Sequence, residues 1–340
     1  MRNDRSSRRI AVLLTVGALM VGVMATPAVA DGHIEMRIAF DESRGQLPEG
    51  VAVDKVGNVF VSIAPLGQLW KITPGSTTPE LFGSVSGIDP SADFGLLGLA
   101  VDARGNVYGT VQSANPDANG VWRFHRRTGV AMRIAGSEQT AMANDLAFDK
   151  RGNLYVTDSI LGAIWIKPKR GDYQPWLVDD PNLAGTGALG LPIPIGANGI
   201  EYRKGTLYVT VSEQFSVVEV DIEKNGGPGA SSVIATIPPD SIGLPGITDG
   251  LAIDVHGNLF VAVIAQSAVV RIDKRGNVTT VASGDPLDWT SSVAFGTGKG
   301  DRKTLFAVNF SIGEGNGDPL PRVGPGLVAI DVGVAGQPLP

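Results

Sequence analysis

VAVDKVGNVFV, residues 51–61, sets two short apolar runs, V-A-V and V-F-V, on either side of a D-K-V-G-N turn. Short apolar runs rich in β-branched residues on both sides of a polar break are the pattern of a β-hairpin. The glycine accepts a positive φ, and the Asp and Asn side chains can bond back to the turn's own amides. The phrase returns as LAVDARGNVYG (99–109), LAFDKRGNLYV (146–156) and LAIDVHGNLFV (251–261). A degraded copy, IEYRKGTLYV, occupies 200–209, and VAFGTGKGDRKTLFAV, with a longer turn, runs from 293 to 308. The markers Asn58, Asn106, Asn153, Thr206, Asn258 and Thr304 stand 48, 47, 53, 52 and 46 residues apart. Repetition at this period means stacked copies of one supersecondary unit.

More short strands follow each hairpin: GQLWKIT (67–73), GVWRFHR (120–126), AIWIKPK (163–169), VVEVDIE (217–223) and AVVRIDK (268–274). No long helical pattern interrupts them. Short strands at even spacing, with 45 Gly and 22 Pro to turn the chain, predict an all-β, six-bladed propeller of mostly four-stranded blades. A sandwich or a two-domain β protein does not account for six equivalent phrases. HIEMRIAF (33–40) reads as a lone strand able to join GLVAIDV (326–332) in the last blade, closing the ring and protecting sheet edges.

Residues 1–30 read differently. Arg2, Arg5, Arg8 and Arg9 precede the apolar run IAVLLTVGALMVGVM, and Ala28-Val29-Ala30 offers small residues at a cleavage position. That is the layout of a secretory signal peptide, with the propeller domain spanning 31–340 and an extracytoplasmic destination, secreted or periplasmic. The apolar run is short for a bilayer crossing, so no stable membrane span is expected after its removal. Losing those four arginines and one aspartate takes the formal charge from −6 to −9. Such a balance gives no general footprint for nucleic acid, which calls for a basic surface. The chain has no cysteine, which excludes disulfides and thiolate chemistry.

Nine positions before the turn asparagine stand Glu49 in blade 1, Asn144 in blade 3 and Asp249 in blade 5. Blade 4 is one residue shorter and offers Asn198; blade 2 has Leu97 and blade 6 the pair Ser291-Ser292. Innermost strands line a propeller's channel, so equivalent positions at their starts converge near one mouth. Two carboxylates brought together beside two amides repel each other and lose solvation without a partner. A calcium ion resolves this, because it takes carboxylate and amide oxygens at six to eight coordination. Three scattered histidines, His33, His125 and His256, do not make a zinc site. Asn or Asp before Gly also serves in caps and turns, but four at matched positions, Glu49 among them, favour a metal site at Glu49, Asn144, Asn198 and Asp249. Asp54, Asp102, Asp149 and Asp254 repeat with the turn itself and are assigned to scaffold.

Over about residues 36–333 the chain resembles the family of gluconolactonase and regucalcin (SMP-30), six-bladed propellers with a divalent metal, usually calcium, in the channel. The P-E-G phrase at Glu49, N-D at Asn144-Asp145, N-G at Asn198, D-G at Asp249 and SSVAFG at 291–296 carry the resemblance. It implies that Glu49, Asn198 and Asp249 hold the ion, with Asn144 a direct or outer donor. Sugar-lactone members carry an arginine two residues before the N-D asparagine; here Met142 stands there.

The expected function is calcium-dependent hydrolysis of a lactone or related ester, with Asp249 and Asn144 as catalytic candidates and a small-molecule substrate as partner. Met142 and the Gly/Pro-rich, apolar loops 83–97, 181–197 and 238–248 point to a substrate less polar than a sugar lactone. Two alternatives remain open: an exported, non-catalytic binding propeller with a structural calcium, and a propeller performing carbon–carbon or carbon–nitrogen chemistry.

Overall fold

Residues 33–312, 320 and 322–339 are described in a computed structural model of the chain. The leader expected over residues 1–30 lies outside them. Each repeat hairpin closes as its composition dictates. In the first, Asp54 Oδ1 accepts from Val56 N at 3.0 Å and Asn58 N at 2.9 Å, Oδ2 accepts from Asn58 Nδ2 at 2.6 Å, and Gly57 takes φ +89°. Asp102, Asp149 and Asp254 repeat the arrangement, as does Asp273 in a turn between the third and fourth strands of its blade. These aspartates are scaffold, as their phase with the turn indicates.

Among the described residues, twenty-four strands form six antiparallel four-stranded sheets. The innermost strands of blades 1 to 6 are Pro48–Val53, Gly95–Val101, Ala143–Phe148, Ala197–Arg203, Thr248–Ile253 and Thr290–Phe295. Blade 6 takes its outermost strand, Ile34–Ala39, from the other end of the chain. That strand pairs antiparallel with Gly326–Asp331, from Ile34 opposite Ile330 to Ala39 opposite Gly326.

The core is divided among the interfaces between neighbouring blades. Ala52, Phe60 and Leu69 of blade 1 meet Leu96, Leu99, Val107 and Phe124 of blade 2. Ile38 and Phe40 of the N-terminal strand region join Val51, Val61, Val308 and Leu327 where blades 6 and 1 meet. Fully burying each such side chain stabilises by about 1.5–3 kcal/mol, so a blade derives its stability from both neighbours. Among the described residues no helix is long and apolar enough to cross a membrane.

Candidate metal centre at one mouth of the channel

Every innermost strand carries an irregularity at the same place. The register with its neighbour shifts between Pro48 and Val51, Leu96 and Leu99, Ala143 and Leu146, Ala197 and Ile200, Thr248 and Leu251, and Thr290 and Ser292. Such bulges re-aim the side chains they contain, and the four expected donors lie inside them. They are strand residues, not turn residues. The glycine following three of them answers to crowding at the axis. A Cβ on Gly50 would stand 2.4 Å from Leu97 O, and one on Gly199 would stand 2.6 Å from Asp249 O.

Neighbouring blades fix these bulges with hydroxyl groups. Thr110 Oγ1 donates to Asn144 O, Thr157 Oγ1 to Asn198 O, Thr210 Oγ1 to Asp249 O at 2.6 Å, and Ser291 Oγ to Glu49 O at 2.8 Å. All four donor backbones are therefore tied to the blade before them. Ser291 is consumed in this lacing, while blade 2's Leu97 is buried at 2% exposure.

A second pair of hydroxyls orients the amides. Ser212 Oγ donates to Thr248 O at 2.7 Å, which leaves a lone pair to accept from Asn198 Nδ2 at 3.0 Å. Ser159 Oγ donates to Ala197 O at 2.7 Å and accepts from Asn144 Nδ2 at 3.0 Å. With each nitrogen committed, each amide turns its oxygen the other way. Asn198 Oδ1 is buried without a hydrogen-bond partner, and so is Glu49 Oε2.

The electrostatics are those of carboxylates short of a counter-charge. Burial raises Glu49 well above its usual range, and the charges of Asp249 and Asp145 add to it. Burial and then Asp145 raise Asp249, against the opposing influence of hydrogen bonding from the Asn198 side chain and the Gly250 backbone. Asp145, which accepts from Ile200 N at 3.0 Å, is pushed up to about 7 by burial. Glu201 is pushed up to about 8 by burial and by Asp145. Taking an ionised carboxylate out of water costs several kcal/mol, more than the roughly 1 kcal/mol returned by a hydrogen bond. This group of side chains is not explained by stability.

Asp145 and Glu201 line a channel of about 110 Å³ walled by the innermost strands. Its far end is crossed by the C-terminal segment. Gln337 Nε2 donates to Tyr202 O at 2.9 Å and Glu201 Oε2 at 3.4 Å, and Gln337 N donates to Ile253 O at 2.8 Å. None of the four expected donors lines this stretch; towards the strand starts, Leu97 and Met142 pack with Ala64 and Phe310 in an apolar cluster, with Ile193, Ile195 and Ile264 against it.

Among the described residues no group of three or more His, Cys, Asp or Glu side chains could hold a metal by itself. Any ion here depends on amide oxygen as well as carboxylate. The orphaned oxygens of Glu49 and Asn198, beside Asp249 and Asn144, fit a hard, oxygen-seeking cation such as calcium. The histidines form no such set: His33 pairs with Glu35, and His125 bonds Thr128.

No curated protein sequence matches the chain. Solved structures are similar at low identity. A luciferin-regenerating enzyme is 16% identical over 91% of this chain and 98% of its own, with a TM-score of 0.68. A gluconolactonase from Xanthomonas campestris is 18% identical over 92% and 91%, at 0.62. A calcium-binding protein, regucalcin, from Agrobacterium tumefaciens is 19% identical over 89% and 95%, also at 0.62. At these identities the likeness establishes the fold. The family model described as SMP-30/Gluconolactonase/LRE-like region matches residues 117–309, which takes in Asn144, Asn198 and Asp249. The chain, a six-bladed propeller matched over more than half its length, belongs to the SMP-30/gluconolactonase/LRE-like family.

Proposed function

We propose that the protein is a calcium-dependent hydrolase of a lactone or related ester less polar than a sugar lactone. The observation that carries this reading is the pair of buried, unpartnered oxygens, Glu49 Oε2 and Asn198 Oδ1, next to Asp249. Glu49, Asn198 and Asp249 would hold the ion, with Asn144 a direct or outer donor. A calcium ion bound there supplies a Lewis-acid contact for the carbonyl oxygen of an ester. Asp249 supplies the carboxylate that takes the proton of the attacking water, or attacks directly. Asn144, fixed by Ser159 through its nitrogen, offers its oxygen at the same end of the channel.

The apolar character of the substrate follows from the apolar cluster at the strand starts. Met142 stands where sugar-lactone members have an arginine, and it is buried among Ala64, Leu97 and Phe310. A polyhydroxylated ring entering there would leave its hydroxyls unpaired, at about 1–3 kcal/mol for each buried group. The loops beside the mouth are clamped in the same sense. Gln214 Nε2 donates to Pro181 O and Ala184 O at 2.8 Å, and Gln266 Nε2 to Pro238 O and Leu244 O at 3.0 Å. Export through the leader at residues 1–30 is part of the proposal.

The test is a panel of alkyl-substituted lactones, gluconolactone and aryl esters, assayed with chelator and again after calcium is restored. Activity that vanishes and returns, greatest on the apolar lactones, is the expected result. Asp249→Asn should reduce turnover by a factor of about 100 or more in a protein that still melts cooperatively. A fully active D249N protein removes Asp249 from the chemistry. The same buried donors also suit a structural ion in a binding propeller. Calcium-dependent melting without turnover anywhere on the panel selects that second reading.

A further inference from the structure

The face opposite the donor end carries a feature that the hydrolase reading does not use. Between blades 2 and 3 lies a cleft of about 460 Å³ into which seven Lys and Arg side chains project. Arg104 and the Lys150-Arg151 pair stand on the repeat hairpin turns, and Lys169-Arg170 on the next turn of blade 3. Arg123 and Lys167 close the group from the third strands. The formal charge of the whole chain is −6, so this concentration of positive charge is local.

The positive charge also outweighs the negative, seven cations against two carboxylates. The two carboxylates in the cleft are occupied within their own turns: Asp102 by Arg104 N, Asn106 N and Asn106 Nδ2, and Asp149 by Arg151 N, Asn153 N and Asn153 Nδ2. Among the described residues none of the seven cations takes part in a salt bridge. Lys167 Nζ donates to the carbonyls of Pro168 and Gly171, and Arg123 reaches Met132 Sδ at 3.7 Å. The others hold their charges at the rim. Beneath them the cleft has an apolar floor, with Tyr108 and Phe148 packed edge to face at 5.0 Å. Like charges gathered round a concave, low-dielectric surface repel one another and focus the potential into it. Guanidinium and ammonium groups in that setting favour multiply charged oxyanions, which arginine can meet with paired hydrogen bonds.

We propose that this cleft binds a ligand bearing several phosphate or sulfate ester groups, with the anionic groups on the rim and the body over Tyr108 and Phe148. Such chemistry occurs both in free solutes and in anionic lipid headgroups. Sucrose octasulfate, titrated calorimetrically into the calcium-loaded protein, is the probe for the first. Sedimentation with phosphatidylglycerol vesicles, against phosphatidylcholine vesicles, is the probe for the second. The octasulfate should bind at low ionic strength, with Kd rising roughly tenfold or more as salt shortens the screening length from about 10 Å towards 3 Å.

The triple variant K150Q/R151Q/K169Q alters side chains with no structural hydrogen bonds among the described residues. It should weaken octasulfate binding about tenfold or more, since three of seven charges are removed. K224Q/K274Q/R275Q removes the same charge from blades 4 and 5 and should leave Kd within about twofold. Retention on phosphatidylglycerol vesicles that is lost in the first triple variant, and displaced by octasulfate, identifies a headgroup as the source. Octasulfate binding without vesicle retention identifies a free solute. No octasulfate binding at low salt, or equal weakening in both triple variants, overturns the site.

Discussion

Ser159 and Ser212 decide which atom of each asparagine faces the channel. Each hydroxyl proton is committed to a backbone carbonyl of the following blade, so only a lone pair remains, and that accepts from the amide nitrogen. Ser159→Ala and Ser212→Ala free Asn144 and Asn198 to turn an N–H donor towards a cation bound as proposed. We expect each change to weaken calcium binding by about 10–100-fold, the usual range for groups that orient a metal's ligands. Competition with a calcium-sensitive dye measures it, and unchanged affinity in both variants would remove the orienting role. At this scale the equivalence of the four positions was legible because a repeat lets one position be compared across blades, and all four lie in the equivalent bulge. Asp145 also had a signal, as the only charged residue to follow a donor where three other blades have glycine. Glu201 had none. Its position is revealed by the contact from Gln337, which is 136 residues away in sequence.

Strands are the level at which the chain states its structure most openly. The hairpins announce themselves through D-x-x-G-N, and the lone N-terminal strand found its partner in Gly326–Asp331 as its isolation suggested. Loop limits were less legible. The stretches 83–97, 181–197 and 238–248 read as uniform Gly/Pro-rich loops, yet Gly95, Ala197 and Thr248 already open innermost strands. The bulge lets those strands begin without an alternating pattern. Ring closure by the N-terminal strand has a measurable consequence. Removing residues 33–40 exposes the partners of Ile38 and Phe40 and frees the edge of Gly326–Asp331. Burial of those two side chains is worth about 4 kcal/mol, which corresponds to a fall in Tm of roughly 6 °C for a domain of this size. The milder Phe40→Ala removes roughly half of that burial, about 2 kcal/mol, and should lower Tm in the same direction by about half as much. A truncated chain that melts with the full-length one would show that blade 6 holds the ring without its fourth strand.

The whole ring converges on one electrostatic problem, and pH exposes it. Glu49, Asp145, Glu201 and Asp249 all have folded pKa values above those of the unfolded chain, with Asp145 at about 7 and Glu201 at about 8. The metal-free fold therefore binds protons more tightly than the unfolded chain between about pH 4 and 8, and its stability falls as pH rises through that window. Asp93 and Asp273 shift the other way because they accept hydrogen bonds in the fold. Their contribution is lost only as pH falls through their own lowered values, below about 4, so it is level from pH 5 to 8. A calcium ion bound as proposed would reverse the balance, since it would take the deprotonated carboxylates that burial disfavours. The metal-free protein should accordingly melt highest near pH 5 and progressively lower towards pH 8. Saturating calcium should raise Tm little at pH 5 and most at pH 8, because ligand-linked stabilisation follows the affinity for the folded state. Thermal melts at three pH values, with chelator and with calcium, decide the matter. An equal calcium shift at pH 5 and pH 8 would mean that the ion does not bind through these carboxylates, and the donor set would have to be sought elsewhere on the ring.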